Sequence, residues 1–163
     1  MKFSSENLKA GEIVRVSGQF FTLRDNSVKK LVDILKSGGK IPLDLSGAYA
    51  FFAAPTPGFR ESRASIGPTT SARMAGFIPY LLDCGVRGFV GKGAIPDDAV
   101  GALLAHGGLY FQALGGVGAY YGSRVVDMRP LMFEELGPEA VFWVDVADFP
   151  LVISIDSGGG IFF

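Results

Sequence analysis

Glycine sets the limits on how this chain can fold. It accounts for 23 of the 163 residues, about twice ordinary usage. Together with proline and charge it interrupts each apolar run before the ~18 to 20 residues of a membrane span are reached. What remains between the interruptions is a series of short apolar segments, each ending in a turn.

Glu12 to Leu23 carries Ile13, Val14, Val16, Phe20 and Phe21 and predicts a strand, with Gly18 marking a bulge or a close approach. Asp25 or Asn26 is then expected to cap a short helix whose apolar stripe is Val28, Leu31, Val32 and Leu35, stopped by Gly38 and Gly39. Ala48 to Ala53 reads as a buried strand before a turn at Pro55-Thr56-Pro57-Gly58. Ala64 to Ile66 returns as a strand and runs into Gly67-Pro68-Thr69-Thr70-Ser71. A second helix is expected there, with Met74, Phe77, Ile78, Leu81 and Leu82 inward, a kink at Pro79 and an end at Gly85. Gly88 to Val90 predicts a strand, followed by Gly91-Lys92-Gly93 and a helix opened by Pro96-Asp97-Asp98 and ended near Gly107. Leu109 to Leu114 leads to Gly115-Gly116-Val117-Gly118, where a further helix can follow. Val125 to Met128, Ala140 to Val146 and Leu151 to Asp156 complete the strands, before a glycine turn at Gly158 to Gly160. Neither a repeat nor a linker interrupts this order, so residues 1–163 are expected to form a single domain of the α/β class.

Charge and reactive residues narrow the function. Fifteen Lys+Arg against 16 Asp+Glu leave a formal charge of −1, so no overall field draws nucleic acid or an anionic membrane to the chain. A polyanion would need a local cationic pocket. Cys84 and His106 are the sole residues of their types. A disulfide within the chain is therefore impossible, as is a structural zinc or a cysteine-ligated cluster held by this chain alone. A Cys-His dyad would use up both. Metal or redox chemistry has to come from a partner. The mean hydropathy of +0.33 fits either a surface covered by another chain or a well-packed domain. The polar stretch Met1 to Gly11 lacks the apolar core of a signal peptide, which points to the cytoplasm.

Three strand-to-helix junctions carry the candidate chemistry: Arg24-Asp25, Gly67 to Arg73, and Gly91-Lys92-Gly93. In an open α/β sheet such junctions lie at the carboxyl ends of strands, where ligands bind, and each exposes free N–H groups. The middle one is the most specific. Thr69 and Thr70 offer hydroxyls, and Arg73 returns its guanidinium to the same mouth one helical turn later. Taken alone, the segment is explained slightly better by a threonine N-cap and a solvated arginine. Lys92 is not a Walker A lysine, because Gly93 follows where Ser or Thr is needed. The combination of Arg24, Arg73 and Lys92 at one rim suits a small dicarboxylate better than a nucleotide.

The other features have plainer readings. Gly116 to Gly122 imitates a dinucleotide fingerprint with a spacing one residue too long, which favours tight packing. Arg60, Glu61 and Arg63 read as a solvated loop. His106 ends a helix and Cys84 packs on one. Asp97-Asp98 suits a helix N-terminus, whereas Glu134-Glu135 has no evident partner.

Gly11-Glu12-Ile13-Val14 through Ser17-Gly18 to Arg24-Asp25, then Gly67-Pro68-Thr69-Thr70-Ser71-Ala72-Arg73-Met74, then Val90-Gly91-Lys92-Gly93 occur in that order. Phe133-Glu134-Glu135-Leu136-Gly137 and Asp148-Phe149-Pro150 follow. With these motifs the chain resembles, over nearly its whole length from Gly11, the beta subunits of class I fumarate hydratase and of L-tartrate dehydratase. The resemblance implies a swivelling β/β/α domain of the fumarase C-terminal type. Such a domain closes over an active site in a separate alpha subunit, which carries an oxygen-sensitive 4Fe–4S cluster. It implies a hetero-oligomeric hydro-lyase, inactive without its partner, that reversibly hydrates fumarate to malate or dehydrates tartrate. A non-catalytic dicarboxylate-binding module is the alternative from another class. By the same resemblance Arg24, Thr70, Arg73 and Lys92 bind the substrate carboxylates, and Thr69 is the candidate base. A threonine hydroxyl is a weak base, which calls for an activating carboxylate from the partner. No metal ligand falls on this chain. Two positions depart from the family pattern. Val28 stands where a His commonly follows the Arg-Asp pair, and Phe52-Ala53-Ala54-Pro55 replaces a Tyr- or His-x-Gly-Pro string. Both leave the diacid open.

Overall fold

The computed structural model describes residues 1–3, 7–56 and 65–163. The loop with Arg60, Glu61 and Arg63, the second half of the expected Pro55–Gly58 turn, and Ala64 of the expected strand lie outside the described residues. The first strands are β1 (Lys2–Phe3) and β2 (Ile13–Leu23), followed by helix α1 (Asp25–Lys36). A hairpin of β3 (Tyr49–Pro55) and β4 (Ile66–Pro68) comes next, then α2 (Ile78–Asp83), β5 (Gly88–Gly91) and α3 (Asp97–Ala105). The chain ends with β6 (Leu109–Gln112), α4 (Gly118–Gly122), β7 (Val125–Met132) and the long β8 (Val141–Ile155).

Strands β2, β3, β5 and β6 run parallel, side by side in that order. Strand β8 pairs antiparallel with both β6 and β2, which closes the sheet into a small barrel. Alternation along the strands then decides what lies inside. Val14, Val16 and Phe20 of β2, Phe51 of β3, Val90 of β5 and Phe111 of β6 fill the barrel. Phe20, Phe51 and Phe149 meet there with ring centroids 5.7–5.8 Å apart. The opposite faces, with Leu23, Phe52, Phe89 and Tyr110, lie under the helices. Val28, Leu31 and Val32 of α1 pack on them, with Leu35 half-buried at the end of the stripe. The architecture is mixed α/β, as the element order predicts.

Several expected segments differ: β4 falls on Ile66–Pro68 where Ala64–Ile66 is expected, β6 stops at Gln112 and β7 runs on to Met132. The helix expected from Ser71 to Gly85 is broken into 3-10 turns over Ser71–Arg73 and Ala75–Phe77 before α2 begins. Pro79 has no N–H and its ring crowds the carbonyl four residues back, so it is tolerated in the first turn of α2 instead of kinking a longer helix. The strands expected at Ala140–Val146 and Leu151–Asp156 are one strand, β8. Val16 pairs with Phe149 and Gly18 with Val146, so β8 carries the extra residue of a bulge opposite Gly18. Asp148, at φ 52°, takes the left-handed backbone there, and its N–H donates to Ser17 Oγ at 3.2 Å. The bulge shifts the alternation by one residue. Val144, Val146, Phe149 and Leu151 therefore all point inward.

Candidate active site at the rim of the parallel strands

The carboxyl ends of parallel strands β2 and β5, and the return of antiparallel β4 beside β3, deliver the three junctions to one rim. Arg24 follows β2 directly and is the N-cap of α1, its N–H donating to Ser27 Oγ at 2.9 Å. Thr69 follows β4, and its N–H donates to the Phe52 carbonyl at 2.7 Å, which ties it to β3. Lys92 follows β5 and forms an isolated parallel bridge with Thr70. Strand order β2, β3, β5 thus sets Arg24, the Thr69–Arg73 segment and Lys92 side by side.

Arg73 is the centre of the geometry. Its Nη2 donates to Thr69 Oγ1 at 2.8 Å and to Asp25 Oδ2 at 2.7 Å. The same Asp25 oxygen lies 3.7 Å from Arg24 Nε, so two guanidiniums converge on one carboxylate. Arg24 Nε is shut off from solvent and makes no hydrogen bond; Glu139 Oε1 stands 3.9 Å away. Thr69 is buried, while Thr70, Arg73 and Lys92 are exposed. The rim therefore offers cations and a hydroxyl to an incoming anion, with a carboxylate already seated between the arginines.

Some members of this rim were not evident in the sequence. Asp25 reads there as a helix cap, and only the adjacency of β2 and β3 brings Arg73 onto it. Glu139, from the turn before β8, accepts the Asn26 N–H at 3.0 Å and so satisfies the start of α1 from a distant segment. Ser71 and Tyr110 lie beneath Lys92. Val28 is wholly buried in the helix-covered core, below the rim.

The remaining candidates fall elsewhere. His106 ends α3, with Nδ1 2.9 Å from the Ala102 carbonyl and Nε2 3.4 Å from Asp83 Oδ1. Cys84 caps the end of α2, where burial and then the Asp83 charge push its thiol pKa up. Gly118 packs beside the start of β4, where an added Cβ would stand 2.5 Å from Ser65 Oγ, whereas Gly116 has open space around it and a φ of 80°. Glu135 pairs with Lys30, whose ammonium also lies 4.7 Å over the Phe133 ring. Among the described residues, no group of three or more His, Cys, Asp or Glu side chains could hold a metal ion, and no helix is long and apolar enough to cross a membrane.

Residues 2–163 match the family described as Fumarase C-terminus. The chain is 34% identical to the proposed L(+)-tartrate dehydratase subunit beta of Methanocaldococcus jannaschii, over 94% of this chain and 83% of that one. It is 31% identical to the L(+)-tartrate dehydratase subunit beta of Escherichia coli K12, over 94% of this chain and 78% of that one. With the proposed class I fumarate hydratase of Geobacillus stearothermophilus it shares 35% identity over 93% of its length, spanning 30% of that longer protein. The chain belongs to the fumarase C-terminus family, and with it to the hydro-lyases.

Proposed function

We propose that this chain is the beta subunit of a hydro-lyase that reversibly adds water across the double bond of fumarate, and that its rim clamps the two substrate carboxylates. The observation that carries this reading is Arg73, bonded at once to Thr69 Oγ1 and to a carboxylate oxygen it shares with Arg24. A guanidinium pair that already accommodates the carboxylate of Asp25 has the geometry for a substrate carboxylate.

Arg24, Thr70, Arg73 and Lys92 hold and orient the diacid, their charges opposing the two negative ends. Thr69 takes the proton from the carbon beside a carboxylate. Within this chain its hydroxyl is bonded by a cation, Arg73, which lowers the cost of the alkoxide form once a carboxylate supplied by the partner has taken the hydroxyl proton. In the dehydration direction the C–H electron pair first moves into the neighbouring carboxylate, where the cations at the rim stabilise the charge that builds. It then returns to form the double bond as the hydroxyl leaves the adjacent carbon. The 4Fe–4S cluster does not fit this chain, whose one cysteine is a half-buried, protonated thiol on α2. It belongs in this reading to a separate alpha subunit, over which residues 1–163 swivel as one domain in a cytoplasmic hetero-oligomer.

Tartrate dehydration is the second reading, favoured by the 31–34% identity to tartrate dehydratase beta subunits over most of their length. Anaerobic assays of fumarate hydration and tartrate dehydration, by this chain alone and mixed with its cluster-bearing partner, test both. The expected result is turnover in the mixture only, with the faster diacid naming the enzyme. Dicarboxylate binding without turnover, in a mixture with an intact cluster, would instead indicate a binding module.

A further inference from the structure

Lys92 stands on a turn between two glycines, and a turn of that kind does not by itself hold a side chain in place. Here its backbone is held from below at several points. The Lys92 N–H donates to Ser71 Oγ at 3.0 Å, and the Lys92 carbonyl accepts the Ser71 N–H at 3.0 Å. One residue on, the Gly93 carbonyl accepts the Tyr110 hydroxyl at 2.7 Å, so the same turn is also held from β6. Ser71 comes from the turn after β4, Lys92 from the end of β5 and Tyr110 from β6, so three segments meet at one turn.

Burial and packing fix this arrangement. Ser71 and Tyr110 are both wholly out of solvent. Burial pushes the Tyr110 phenol up to about 12, so it remains a donor throughout the neutral range. The space is filled: a Cβ added at Gly91 would lie 1.7 Å from Ser71 Oγ and 3.2 Å from the Tyr110 hydroxyl. Glycine at 91 is what lets the arrangement exist. Past the turn, the Lys92 stem runs beside the β6–α4 loop, its Cδ 3.2 Å from where a Cβ on Gly115 would be.

We propose that Ser71 and Tyr110 are positioning residues that fix Lys92 relative to Arg73, and so set the span of the clamp between the two carboxylates of the diacid. The proposal rests on the reading of the rim as a dicarboxylate clamp. Neither side chain touches substrate. Their effect passes through the Lys92 backbone, and it is selective: it bears on ligands that need both ends of the clamp.

The test is Tyr110→Phe, which removes one oxygen from a packed ring, assayed in the chain assembled with its cluster-bearing partner. Succinate and butyrate serve as inhibitors of equal chain length with two carboxylates and one. The expected result is a rise of about tenfold in KM for the diacid and in the inhibition constant of succinate, the worth of one buried hydrogen bond. The inhibition constant of butyrate stays where it was. Unchanged KM and succinate inhibition would overturn the proposal alone. So would equal weakening of succinate and butyrate, which signals a general loosening of the fold. If Tyr110→Phe fails to fold, Ser71→Ala releases the same turn from the other segment and carries the same expectations. Unsubstituted protein inactive on both diacids would overturn the clamp reading and this proposal with it.

Discussion

Thr69 and Arg73 depend on each other. The threonine oxygen accepts the guanidinium N–H at 2.8 Å, so the proton of its own hydroxyl is left for other partners. Its anionic form is the one the arginine favours. Thr69→Val keeps the volume and removes the oxygen. It is expected to lower kcat by about a hundredfold or more, the usual worth of a general base, while Thr69→Ser retains most of the rate. Steady-state kinetics of the assembled enzyme check both, and equal activity of the Val and Ser variants would contradict a proton-transfer role. At this scale the return of Arg73 to Thr69 was legible in the sequence, since an arginine one turn after a hydroxyl can reach it. That spacing alone does not separate an anion mouth from a threonine N-cap beside a solvated arginine. The part of Asp25 was not legible. Its carboxylate acquires meaning only when the Thr69–Arg73 segment is brought beside it by strand pairing, and local sequence carries no trace of that neighbour.

Elements were legible where the apolar period was unambiguous. The stripe Val28, Leu31, Val32 of α1 buries as its spacing predicts, and glycines end the helix. Between Ser71 and Asp83 the apolar residues have the same spacing, yet 3-10 turns and a short α-helix share them. Their periods are too close to separate over so few residues, and Pro79 fixes where the α-helix can begin. The one strand that reads as two is explained by its bulge. Asp148 and Pro150 look like a break in the sequence, whereas the structure uses the left-handed Asp148 to keep the alternation inward across it. Strand β6 ends earlier than its apolar run suggests. Ala113 still donates to the Gly91 carbonyl, but the Leu114 N–H turns away to the Tyr121 hydroxyl at 2.8 Å. Tyr121 also donates to the Pro150 carbonyl and stacks on Phe149 at 4.3 Å, fastening α4 to the barrel.

Across the whole molecule, closure of the barrel brings the start of β2 against the end of β8. The Gly11 N–H donates to the Ile153 carbonyl, and the Ile153 N–H donates to Glu12. Asp156 seals this junction: its carboxylate accepts the N–H groups of Ala10, Gly158 and Gly160 at 2.8–3.0 Å. The Ala10 bond first, and then the Gly160 bond, hold its pKa below the usual 3.8. A depressed carboxylate pKa stabilises the fold above the unfolded value and ceases to do so as pH falls through the folded one. Asp156→Asn, which exchanges an acceptor for a donor, should therefore lower Tm by several degrees at neutral pH. The gap to the unsubstituted protein should narrow as pH falls below 3.8 and through the lowered folded-state pKa, where the Asp156 carboxyl becomes neutral. Thermal melts from pH 2 to 7 measure it, and a gap independent of pH would contradict the ionic role of Asp156. This closure was not legible in the sequence, because the residues it joins lie at opposite ends of the chain.

At the same scale the chain has no general attraction for anions, with a net charge of −1. Any affinity for a diacid must therefore come from a local cationic site, which the proposed function assigns to the rim around Arg73. The most direct measurement is kcat/KM of Arg73→Ala for fumarate and tartrate, in the chain assembled with the alpha subunit proposed to carry the cluster, beside its melting temperature. Arg73 is half exposed and its ion pair with Asp25 lies at the surface, so the melt should move by no more than about 1 kcal/mol of stability. Losing a charged bond to substrate should lower kcat/KM by about a hundredfold or more. An Arg73→Ala enzyme with unchanged kcat/KM on the diacid it turns over would contradict the assignment of this rim as the substrate clamp.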